Sequence, residues 1–149
     1  MPARRFLVNR SSNLNDVALL IFRVMFGASL FLHHGWEKLT GFSRMAQHFP
    51  NPLHIGVYPT LAYATFADGI CSLLVILGLV TRIASLCILI NLAVVFFIVQ
   101  RALSFSWLPG APAGARPGGE IELVFVYLAG YLLLFLAGPG KFSLDAMIG

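Results

Sequence analysis

The sequence predicts an all-α integral membrane protein, a four-helix antiparallel bundle with both termini on the same side. Composition and one pattern carry that expectation. Charged residues make up 11% of the 149-residue chain, against roughly 25% in soluble proteins. Hydrophobic residues make up 58%, which leaves too little polar surface to cover a soluble globule of this size. The apolar residues gather in four stretches, Val17 to Leu32, Leu61 to Leu79, Ile83 to Val99 and Ile121 to Ala137. At ~1.5 Å per residue each comes close to crossing a hydrocarbon core of ~30 Å. The net charge of +4 is dispersed along the chain, a distribution that suits anionic lipid rather than nucleic acid.

The elements follow in chain order within a single domain over residues 1–149. The opening segment MPARRFLVNRSSNLND is mostly polar and has no cleavage signature, so the first helix, about 17–34, is expected to be retained. Its three arginines bias both termini to the cytoplasmic side of a bacterial inner membrane. The outer loop 35–60 is rich in Gly and Pro; within it Phe42, Met45, Ala46 and Phe49 have the spacing of a short amphipathic surface helix. Helices over about 61–79 and 83–100 are separated only by Val80, Thr81 and Arg82, which predicts a tight turn there. Counted from that turn, Cys71 and Cys87 differ in depth by ~8 Å, which predicts packed thiols and no disulfide. The second outer loop, about 101–120, is Pro/Gly-rich with Phe105 and Trp107 as interfacial anchors. The fourth helix, about 121–137, follows.

Polar residues within the apolar stretches are the candidate functional groups, since charge at bilayer depth costs about 2.5 to 3.5 kcal/mol on insertion scales. Arg23 and His34 lie eleven residues apart, within about 20° of one helical direction, and Lys38 continues that face if the helix extends. Asp68, on a helix face with Ala64, Thr65 and Ser72, is the natural counter-charge for Arg23. The alternative is an Arg23 that reaches back to the headgroups. Glu120 and Glu122 begin the fourth helix about 160° apart, and Glu122 is expected to face inward. Tyr127 and Tyr131 share one helix face, Asn91 is expected to bond another helix, and His33 and His34 point about 100° apart. The histidine pattern supports no metal site, and no flavin, haem or iron-sulfur motif is present.

Three segments then carry a family resemblance: FRVMFGASLFLHHGWEKLTGF (22–42), LLVILGLVTRIASL (73–86) and GGEIELVFVYLAGYLLLFLAGPGKFSLD (118–145). They resemble the DoxX family of small four-helix bacterial and archaeal membrane proteins. The resemblance places the family's polar positions on Arg23, His34, Gly35, Lys38, Glu122 and the tail from Gly138 to Asp145, with Asp68 where a Glu is expected. It implies association with quinone-linked or thiol-linked oxidoreductases, one relative being a subunit of a thiosulfate:quinone oxidoreductase. The expected site is a charged pocket of Arg23, His34, Lys38, Asp68 and Glu122 in the outer half of the bundle, with quinone as the candidate ligand. Expected partners are membrane lipid, an oxidoreductase subunit and further copies of the chain. A small anion or proton-coupled transporter component and a membrane scaffold are the competing readings.

Overall fold

The computed structural model describes residues 3–100 and 118–148, with side chains over 14–100 and 121–148. The second outer loop with Phe105 and Trp107, and the side chain of Glu120, lie outside the described residues. All regular structure among the described residues is helical. Three helices, Leu14–Thr40, Val57–Leu77 and Thr81–Val99, are long and apolar enough to cross a membrane, and Ile121–Ala137 is a shorter apolar helix.

Each long helix contains a wider turn. The first runs as α1 (Ala3–Leu30), a π-helical turn over Phe31–Gly35, and α2 (Trp36–Thr40). After the short α3 (Phe42–Met45) comes α4 (Val57–Thr65), a π turn over Phe66–Cys71, and α5 (Ser72–Leu77). The third is α6 (Thr81–Ala93) followed by a π turn over Val94–Val99. Then come α7 (Gly118–Ala137) and the tail helix α8 (Leu144–Ile148).

The first helix therefore outlasts its apolar run. The outer loop was expected to begin at residue 35; instead a π turn carries the helix through Gly35 to Thr40. An added Cβ at Gly35 would lie 2.4 Å from the Asp68 carbonyl oxygen, so glycine is needed because two backbones meet there. The surface helix expected over 42–49 stops at Met45. The bonds Gln47 N to Arg44 O and His48 N to Met45 O are turn bonds, and Pro50 bars helical continuation.

The tight turn falls two residues earlier than expected. Gly78 is left-handed, with φ 71°. Its N–H donates to Val75 O (3.1 Å) and the Leu79 N–H to Leu74 O (2.9 Å), the paired bonds of a glycine-terminated helix. Val80 is also left-handed, with φ 48°, a strained state for a β-branched residue. Asp145 holds it there: its carboxylate accepts the N–H groups of Val80 (2.6 Å) and Thr81 (2.9 Å), capping α6 from the far end of the chain. Burial works against the Asp145 charge, but the Thr81 and Val80 donors and the nearby Arg23 guanidinium outweigh it, holding the carboxyl below its usual value.

The core threads between the helices through Leu30, Cys71, Val75, Ile88, Tyr131 and Leu134. Outward-facing Ile21, Met25, Leu32, Phe66, Ile83 and Leu133 are as apolar as the interior, the surface a lipid-embedded bundle presents.

Two outcomes follow. Gly35→Val should lower stability by about 1 to 3 kcal/mol, read from unfolding in detergent, because helix separation is the only relief for the clash. A carboxylate held below its ordinary value stabilises above pH about 4 and loses that contribution as pH falls through its depressed value. Asp145→Asn should therefore flatten the acid-side fall in melting temperature expected of the wild type.

Candidate functional site

The direction of helical side chains decides the site. In a helix, Cα–Cβ bonds tilt toward the N-terminus and long side chains lie back over the preceding turn. Lys38, one turn beyond the first π segment, therefore leans back along its helix onto Asp68. The two form an ion pair with side-chain exposures of 13% and 5%. The other Asp68 oxygen, Oδ1, accepts the Asn91 amide at 2.9 Å. Three helices are thus tied through one carboxylate.

A cavity of about 280 Å³ opens beside the pair, lined by His34, Lys38, Asp68, Asn91, Gln100 and Tyr127 among apolar neighbours such as Leu92 and Val124. Each of the three π turns contributes to it: His34 from the first, Asp68 from the second, and Val95 from the third, whose carbonyl accepts the Gln100 N–H at 2.8 Å. A π turn adds a residue to the helical turn, and such turns concentrate at functional sites. Gln100 Oε1 is buried without a hydrogen-bond partner, an acceptor left open beside the cavity. A second cavity of about 190 Å³, lined by Phe49, Pro50, Thr60 and Val99, shares Lys38, Asn91 and Val95 with the first. The ion pair thus adjoins both spaces.

The aromatic wall is tied to the first helix. The Tyr127 hydroxyl hydrogen-bonds the Ser29 hydroxyl, and the His34 ring meets Tyr127 edge-on at 6.4 Å between centroids. Tyr131, deeper and fully buried, donates to Phe26 O at 3.2 Å.

Two expected members are absent from the pocket. Arg23 does not pair with Asp68. The tilt that brings Lys38 toward Asp68 takes Arg23 the other way, toward the Gly78–Val80 turn, where its Nη2 donates to the Phe142 carbonyl. Arg23 is fully buried, and its Nη1 would lie 1.9 Å from any Cβ at position 78, so Gly78 also clears space for the guanidinium. Glu122 is exposed, because the inward face of α7 is set by Ile121, Val124, Tyr127, Tyr131 and Leu134, one helical step away. His33 is exposed too, its Nδ1 at 2.9 Å from Ser29 O. No cluster of three His, Cys, Asp or Glu groups occurs among the described residues. Sequence reasoning missed Gln100, whose signal was its position as the first polar residue after an apolar helix.

The helices and this buried charged site define a multi-pass membrane protein. A family model described as DoxX matches residues 18–101 of the 149, and the chain belongs to that family. The match covers Arg23, His34, Lys38, Asp68 and Asn91; Tyr127 and the tail lie beyond it. No curated protein and no solved structure matches the chain.

Lys38→Met strands the Asp68 carboxylate and should cost about 3 to 5 kcal/mol. Adding Asp68→Leu removes the stranded charge and should restore most of that loss. A double-mutant cycle of unfolding free energies in detergent measures the coupling.

Proposed function

We propose that the chain is a four-helix antiparallel bundle of the bacterial inner membrane, one domain over residues 1–149, with both termini cytoplasmic. Its pocket, in the outer half of the bundle, binds a small ligand through carbonyl or anionic oxygens. The protein serves as a membrane subunit or accessory of a quinone- or thiol-linked oxidoreductase.

One observation carries the reading: the Lys38–Asp68 pair borders an open cavity instead of being sealed in packing. A pair that served packing alone gains nothing from an adjoining void, since replacing such a pair by apolar residues is often neutral or stabilising. At the wall, the Lys38 ammonium and the Asn91 amide can donate to ligand oxygens, and Asp68 and His34 can exchange protons with them. The volume of about 280 Å³ suits one ring or a comparably small group, at the lower end of ligand pockets. The sequence carries no flavin, dinucleotide, haem or iron-sulfur motif, so electrons would come from a partner protein or a diffusing donor.

A second reading, a small anion or proton-coupled transporter component, is favoured by the second cavity, which shares Lys38 and Asn91 with the first. Movement of the Lys38 side chain would then join the two spaces. Lipid-facing surface is ample for further copies of the chain.

The test is solvent extraction of the protein purified in mild detergent, with mass spectrometry of the extract and a visible spectrum of the intact sample. The expected result is a stoichiometric quinone or related small amphiphile, lost in Asp68→Asn and in the double variant Lys38→Met with Asp68→Leu. Phospholipid alone in the wild type would shift the reading to the transporter. Collapse of folded yield together with ligand in every variant would favour a scaffold.

A further inference from the structure

The two cysteines are brought together by the same shift that moved the turn. Reckoned from residues 80–82 they sit at different depths, but α5 ends at Leu77 and α6 begins at Thr81, so the reversal is centred on Leu79. Cys71 and Cys87 are each eight residues from Leu79, hence level with one another about 12 Å from the turn. They also share one packed region: α6 packs against both α5 and the π turn that ends at Cys71, and Cys87 packs against the buried cluster that contains Cys71. Cys71 is wholly buried and Cys87 is half-buried, so Cys87 is the more accessible residue of the two. The Tyr63 hydroxyl donates to the Cys87 carbonyl at 2.9 Å, fastening α4 to α6 beside the pair.

We propose that Cys71 and Cys87 form an intramembrane dithiol–disulfide couple open to lipid-soluble two-electron oxidants of the quinone or azo class. Closure breaks two S–H bonds and forms one S–S bond. Two electrons and two protons pass to the oxidant, which a quinone accepts to become a hydroquinone and an azo compound to become a hydrazine. The structure holds the reduced state, with both thiols free. Exchange of this kind proceeds through a thiolate.

The couple has a structural reach. Cys71 closes the π turn that carries Asp68, so an S–S bond would pin that turn to α6 just below the Asp68–Asn91 bond. Disulfide closure would therefore hold one wall of the cavity in a fixed position. This inference stands apart from the identity of the cavity ligand.

The experiment treats the purified full chain in detergent with the azo oxidant diamide, removes the oxidant, denatures the protein, blocks remaining thiols with N-ethylmaleimide and measures intact mass. The wild type is expected to lose two hydrogens and take up no maleimide, and dithiothreitol should restore uptake of two. Peptide mapping should find Cys71 joined to Cys87 within one chain. Cys71→Ser and Cys87→Ser should each take up one maleimide as monomers under the same treatment. Two alkylatable thiols persisting in oxidised wild type, or disulfide appearing only between chains through Cys87, would overturn the proposal. Because alkylation is read after denaturation, burial of Cys71 cannot imitate a disulfide.

Discussion

The contact between Lys38 and Asp68 is the constraint around which the rest of the structure is arranged. A carboxylate and an ammonium placed within apolar helices are costly apart, so the helices must bring them together, and the local geometry shows how. Gly35 removes the side chain that would keep the first helix off the second at the level of Asp68. The π turns that meet there redirect His34 and Asp68 toward a shared space. Asn91, from the third helix, takes the remaining carboxylate oxygen. A site that needs three helices at once is also a fixed point for packing them.

The opposite end of the bundle solves a similar problem differently. Arg23 meets a backbone carbonyl and the field of Asp145 instead of an adjacent carboxylate. The C-terminal tail is thereby made part of the fold. Its Phe142 carbonyl receives the guanidinium, its Asp145 caps α6, and the Asp145 N–H donates to Gly78 O at 2.9 Å. Nε and Nη1 of Arg23 have no hydrogen-bond partner, so the tail compensates this buried cation only in part. The two cations of the first helix thus belong to separate structures, one at the cavity and one at the tail clamp.

The sequence made the apolar helices legible because their runs are long and nearly free of charge. It also made Asp68 legible, since a carboxylate in such a run demands a partner. The partner was misassigned because a constant 3.6 residues per turn puts Arg23, His34 and Lys38 on one face, which leaves Arg23 as a plausible counter-charge for Asp68. That periodicity ignores both the π turns and the backward lean of long side chains, the two effects that pair Lys38 with Asp68 and send Arg23 elsewhere. Glu122 was misplaced for a related reason: two glutamates at opposite phases do not reveal which faces inward, whereas the Ile121, Val124, Tyr127 and Tyr131 series does. The separation of the cysteines failed on a two-residue error in the turn, since Gly78 followed by a left-handed Val80 is not a pattern that propensity favours.

The most direct measurement of the central contact is a solid-state NMR distance between the Lys38 ammonium nitrogen and the Asp68 carboxyl carbon in lipid bilayers. The chain has two lysines, Lys38 and Lys141, so labelling lysine in a Lys141→Arg background isolates the signal. Strong dipolar dephasing from labelled aspartate, corresponding to a separation of about 4 Å or less and absent in Asp68→Asn, is the result this account requires. A Lys38 signal untouched by aspartate labelling would show that the cavity is built around some other contact and would contradict it.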